Sequence, residues 1–304
     1  MKNVITALLL CISIGASAQT MGNPMPNVSA EENPLQTINN TPGLCAIFRT
    51  WGFIGDSLCS GEMESRDENG KLGHHDMYEY SWGQFLCRAC GAEGENFSRG
   101  GQTAKGWIAD DTKRGWAYCK MNPKQAYIVA MGVNDYTRRK RNNLKCGSLD
   151  TDVDLKDYNN NAPTYAGYMA GIIQRLQSIQ PKAKIFVVTR PQTDKGNNAY
   201  DEFNEVVRGL ARMFSNVYVI DLFKHAPLYD ADFQDRYYVG GHLNAMGYEY
   251  TARVFMTYID WIIRNNYKEF KEVAFIGTKL HYTPDNELKK KKERHPGHAK
   301  DTHK

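Results

Sequence analysis

Short, unbroken apolar runs that recur between amphipathic helical patterns constrain this chain more than any other feature of its sequence. Residues 125–131 enclose Ala-Tyr-Ile-Val-Ala-Met, residues 184–189 read Lys-Ile-Phe-Val-Val-Thr, and residues 217–221 read Val-Tyr-Val-Ile-Asp. Runs of this length without polar alternation suit strands buried on both faces. Between them, Tyr165, Met169, Ile172, Ile173, Leu176 and Ile179 recur at helical spacing until Pro181 stops the pattern. Residues 198–214 form a second helical stretch, and Asn244 caps a last helix whose apolar face is Tyr248, Ala252, Phe255, Ile259 and Ile262. Strands and helices in alternation predict an α/β fold, a parallel sheet of about five strands covered on both faces.

The earliest strand, Trp51–Ile54, runs into Gly55-Asp56-Ser57-Leu58. It delivers a small hydroxyl to a strand's carboxyl end, where open α/β sheets place their ligands, which makes Ser57 a candidate nucleophile. Residues 62–79 read as a polar loop and Ser81–Cys90 as a helix ended by Gly91. A short strand near 95–97 precedes the turn Ser98-Arg99-Gly100-Gly101, a helix over 104–121 follows, and residues 136–161 form a long charged insertion.

In a flavodoxin-like order, with the first strand between the second and third, the loops after Ile54, Phe97 and Met131 meet at one sheet edge. A tetrahedral intermediate needs fixed donors where its oxyanion develops, and the Ser57 amide, the Gly101 amide and the Asn134 side-chain amide supply three. One such donor is worth about 10²- to 10³-fold in rate. Serine also needs a base, and His242 stands in Val239-Gly240-Gly241-His242-Leu243-Asn244, just ahead of the last helix.

Taken together, Gly55-Asp56-Ser57-Leu58, Gly101 with Asn96 and Thr103, Gly132-Val133-Asn134-Asp135 and His242 resemble the four motif blocks of the SGNH hydrolase superfamily, the GDSL-type esterases. The resemblance runs from about Trp51 to the last helix. It implies a three-layer α/β/α sandwich and a serine-dependent carboxylic-ester hydrolase needing no cofactor. Ser57 is then the nucleophile, His242 the base, and Ser57, Gly101 and Asn134 the oxyanion hole. The family usually carries an aspartate three residues before the histidine, and Val239 stands there. An orienting acid in a serine triad is worth about 10⁴-fold. Three explanations are open: a Ser-His dyad steadied by a backbone carbonyl, an acid recruited from elsewhere (Asp235, Asp232 or Asp221), or a weakened enzyme.

The two ends of the chain bear on where such an enzyme acts. Residues 1–18 have the charged start, apolar centre and Ala-Ser-Ala end of a signal peptide, so export to a periplasm or beyond is expected. The apolar run is too short to span a bilayer, and no later segment approaches about 18 apolar residues. A polar lead over 19–42 precedes a single hydrolase domain at 43–284, and residues 285–304 predict a disordered basic tail. That tail carries a charge of +3 and Lys2 adds +1, so the net +4 leaves the domain near neutral and gives no reason to expect nucleic-acid binding.

Six cysteines follow the signal (45, 59, 87, 90, 119, 146), and Cys87-Arg88-Ala89-Cys90 lies in a helix without the preceding strand a redox motif requires. They read as buried structural thiols. His74-His75-Asp76 lacks a defined ligand spacing, so no metal is expected, and the tail histidines 295, 298 and 303 read as solvated. Gly100-Gly101 is no dinucleotide fingerprint. Secretion and the family resemblance point to a small acyl group, acetyl first, on a carbohydrate. The alternatives are a lipid or lysophospholipid esterase, with an apolar channel beside Ser57, and an inactive glycan-binding protein of the same fold.

Overall fold

The computed structural model describes residues 32–194, 200–285 and 287–288. The expected signal peptide, most of the polar lead and nearly all of the basic tail lie outside them. Five parallel strands, β1 (Thr50–Gly55), β4 (Glu93–Ser98), β5 (Ala126–Ala130), β6 (Lys184–Val188) and β7 (Val217–Ile220), form one sheet in the order β4-β1-β5-β6-β7. This is the flavodoxin-like order, with the first strand between the second and third.

Alternation along the strands divides the core into two layers. Trp51 and Phe53 pack with Trp82 and Leu86 of α2 (Trp82–Cys90) and with Phe255 and Ile259 of α11 (Ala245–Asn265). Ile54 and Val129 face the other way, onto Trp107 of α3 (Ala104–Ala109), Met169 and Ile173 of α7 (Tyr165–Ile179) and Val206 of α8 (Asp201–Met213). Helix on both faces of the sheet gives the three-layer α/β/α sandwich. Gly52 allows a close approach: a Cβ there would stand 2.5 Å from the Tyr127 ring, so only glycine lets that ring cross β1. Side-chain caps set the starts of α2 (Ser81), α3 (Thr103), α7 (Thr164) and α11 (Asn244). Among the described residues no helix is long and apolar enough to cross a membrane.

Two expectations are corrected. Residues 62–79 are not a plain loop: β2 (Glu62–Arg66) and β3 (Leu72–Asp76) pair antiparallel around Asn69-Gly70, with Gly70 at φ +79°. Asn-Gly is a strong hairpin signal, but these strands are too polar to show a core-facing alternation. The helix expected over 104–121 breaks after Ala109, and only α4 (Trp116–Cys119) resumes it. There Asp110 turns its carboxylate inward to Gln102 and Arg99, and a Cβ at Gly115 would lie 2.1 Å from the Asp110 Cβ. The insertion over 136–161 is structured: after α5 (Val133–Arg138) come α6 (Leu149–Asp152) and a 3₁₀ turn at Tyr158–Asn160, and Leu149 packs against Gly209 of α8. The described end of the lead also packs on the domain, with Leu35 buried and the Asn39 amide donating to Thr257 Oγ1 at 3.0 Å.

All six described cysteines are free thiols, five of them buried.

Candidate active site

Ser57 opens α1 (Ser57–Ser60) directly beyond β1. Asp56 caps that turn, its carboxylate accepting from the Leu58 amide at 3.1 Å, so its Oδ1 engages Leu58 and not the amide of Ser57. The same carboxylate accepts from Asn134 Nδ2 at 3.3 Å, which ties the Ser57 loop to the loop after β5. Asp135 then accepts from the Ala104 amide at 3.1 and 3.2 Å, and Arg138 Nη1 donates to the Gly101 carbonyl at 2.7 Å, tying that loop to the one after β4. Gly101 lies at φ +71°, where a Cβ would meet Arg138 Nη2 at 2.9 Å. The Ser57, Gly101 and Asn134 loops are therefore crosslinked at one sheet edge, as the topology predicted. Burial raises Asp56 to about 6 and Asp135 to about 7.

His242 begins β9 (His242–Leu243), which pairs with β8 (Tyr238–Val239) across Gly240-Gly241, and this small hairpin packs beside α1. Asp235 is not its partner. It sits on the exposed side of α10 (Ala231–Tyr237), Asp232 is exposed there too, and Asp221 is bound by Arg208 Nε at 2.7 Å and by Thr189 Oγ1 at 2.9 Å. The acid that meets the ring is Glu64 of β2, whose Oε1 is 2.8 Å from His242 Nδ1.

The two glycines before His242 make this contact possible. A Cβ at Gly240, at φ +63°, would stand 2.0 Å from Glu64 Oε2, and one at Gly241 would stand 2.8 Å from Oε1. A hydrogen bond from the Gly241 amide, and then the one from His242, hold the Glu64 carboxyl below its usual range. Sequence reasoning missed Glu64 because it is 178 positions from His242 on a strand read as a loop.

A second hairpin carboxylate faces the ring's other nitrogen: Glu62 Oε1 is 3.2 Å from His242 Nε2 and 3.0 Å from His74 Nδ1. Glu62, Glu64 and His74 share one face of the hairpin, because alternate residues and cross-strand partners align. Ser60 of α1 donates to Asp76 of β3, and Tyr248 Oη donates to the Glu62 carbonyl at 2.6 Å, so the hairpin is fixed to both the Ser57 turn and α11. No hydrogen bond joins Ser57 Oγ to His242 among the described residues.

Beyond the Asp56–Gly132 edge lies a cavity of about 480 Å³, whose wall mixes apolar side chains with Thr189, Arg190, Asn204, Gln234 and Tyr238. The Arg190 guanidinium lies 3.7 Å over the Tyr200 ring, and Arg190 Nη1 and Asn204 Nδ2 have no hydrogen-bond partner among the described residues.

The sequence profile of the GDSL-like lipase/acylhydrolase family matches residues 53–250. No curated protein gives a significant match. Among solved structures, similarity extends to a carbohydrate esterase family 2 enzyme with a carbohydrate binding domain from Corynascus thermopiles (15% identity, 71% of this chain, 66% of that one, TM-score 0.47). A family two carbohydrate esterase from Clostridium thermocellum, in complex with cellohexaose, gives 14% identity over 73% of this chain and 65% of that one (TM-score 0.48). A protein assigned to the G-D-S-L family from Desulfitobacterium hafniense DCB-2 gives 18% identity over 68% and 97% (TM-score 0.44).

Proposed function

Because the chain belongs to the GDSL-like lipase/acylhydrolase family, and is accordingly a carboxylic-ester hydrolase of the SGNH type, we propose that it removes a small acyl group, acetyl first, from a carbohydrate. One observation carries the substrate class: polar side chains interrupt the wall of the cavity beside the Ser57 loop, and two buried donors on it lack partners. An alkyl chain there would leave those donors unpaired, at about 1–3 kcal/mol each, whereas sugar hydroxyls supply acceptors. The pattern of residues 1–18 supports an enzyme acting outside the cytoplasm.

In this proposal Ser57 is the nucleophile and His242 the general base. Glu64 holds the Nδ1 proton and so leaves the Nε2 lone pair for the serine proton. Ser57 Oγ attacks the ester carbonyl, and the oxyanion is received by the amides of Ser57 and Gly101 and by Asn134 Nδ2. Collapse of the intermediate expels the sugar alkoxide, which takes the proton back from Nε2. Water, activated by the same nitrogen, then frees the acyl group. Asp56 and Asp135 act by holding the three loops in register. The His242 contact with Glu62 must open for Nε2 to serve Ser57.

The test pairs a serine-directed fluorophosphonate with aryl acetates and octanoates, on wild type, Ser57→Ala and His242→Ala. Labelling of wild type alone, faster turnover of acetate, and loss of most turnover in both variants are expected. Faster turnover of octanoate selects the lipid class, and a wild type no better than Ser57→Ala selects an inactive binding protein.

A further inference from the structure

We infer that Glu62, His74 and His242 form a site for one divalent first-row metal ion, zinc above all, and that the ion silences the hydrolase by occupying Nε2 of His242. The silencing rests on His242 being the catalytic base; the site itself does not. One ligand atom from each of Glu62, His74 and His242 lies within 4.8 Å of the other two, and Glu62 Oε1 is 3.0 Å from His74 Nδ1 and 3.2 Å from His242 Nε2. A tetrahedral zinc with bonds of about 2.0–2.1 Å sets neighbouring ligand atoms about 3.3 Å apart, a spacing the two carboxylate–nitrogen contacts already match, while the two nitrogens, within 4.8 Å of each other, need to close by at most about 1.5 Å.

The surroundings also fit a metal. A ligating histidine usually donates its second N–H to a carboxylate, and Glu64 takes that place at 2.8 Å. Two imidazoles and one carboxylate suit zinc and its neighbours, whereas calcium and magnesium prefer all-oxygen shells. The His74 side chain is 48% exposed, so an ion can enter from solvent, and the fourth position is left for water. With its Nε2 lone pair on the metal, His242 cannot accept the Ser57 proton.

The test uses the full chain carrying His295→Ala, His298→Ala and His303→Ala, to remove binding by the tail, after treatment with EDTA. Calorimetric titration with ZnSO₄ is expected to show one equivalent bound at micromolar or tighter affinity. His74→Ala and Glu62→Gln weaken it at least tenfold, while His75→Ala, on the opposite face, stays within twofold. Cobalt(II) at the site adds the visible bands of a tetrahedral ion, and these vanish in His74→Ala. Stoichiometric zinc abolishes ester turnover and EDTA restores it. Absence of a stoichiometric site, or equal affinity in His74→Ala, overturns the metal site; turnover that is unchanged or raised by bound zinc overturns the silencing. A protein inert both with and without EDTA overturns the hydrolytic roles of Ser57 and His242, and the silencing with them, while the calorimetry still decides the metal site.

Discussion

Glu64→Gln probes the pair that stands in for the acid missing before His242. The native carboxylate accepts from His242 Nδ1 at 2.8 Å and from the Gly241 amide, two donors for two oxygens. Glutamine offers one carbonyl oxygen and an amide that only donates. If that oxygen serves Gly241, the NH₂ faces Nδ1 and drives the ring proton to Nε2, the tautomer that cannot act as base. If it serves His242, a charge-assisted bond becomes a neutral one. The milder outcome costs about 2 kcal/mol, or about 30-fold, and full tautomer inversion costs about 10⁴-fold. Turnover of an aryl acetate by metal-free protein is therefore expected to fall between those bounds, mainly in kcat, with the melting temperature nearly unchanged. Glu64→Asp keeps the charge but withdraws it by one methylene, and recovers only part of the rate. Turnover by Glu64→Gln within threefold of wild type, with the fold intact, would refute the assignment of Glu64 and favour a dyad held by backbone alone.

Asp235→Asn, on the exposed side of α10, leaves kcat within twofold of wild type; a loss above tenfold would restore Asp235 as the orienting acid. Asp135 is held up to about 7 by burial, so the fold prefers its protonated form. The stability this contributes is complete below the ordinary carboxylate value of 3.8 and is lost as pH rises from there to about 7. Asp135→Asn keeps an acceptor for the Ala104 amide and cannot ionise. Its melting temperature therefore falls less than that of wild type between pH 5 and pH 8, whereas parallel curves would show that Asp135 ionises freely in the fold.

The architecture was legible in the sequence because its signals are local. Continuous apolar strands, helical spacing, the helix end at Gly91, the cap at Asn244 and the stop at Pro181 each act within a few residues, and the strand order is the flavodoxin-like one on which the sequence reading was built. Ser57, Gly101 and Asn134 were legible as a group for the same reason: each sits where a strand ends, and all these strands end at one edge. The break at Asp110 was not, because it depends on Arg99 and Gln102 being at hand to receive an inward-turned carboxylate.

What surrounds His242 was decided by tertiary structure alone. Glu62, Glu64 and His74 lie on a polar hairpin with no apolar face to announce it, and they reach the ring only because the hairpin is fastened to α1 and α11 and seats Glu64 against Gly240 and Gly241. A sequence states which residues are present and which local shapes they prefer. The pairing of an acid with a histidine 178 positions away depends on how separate elements pack, and no local propensity encodes that distance.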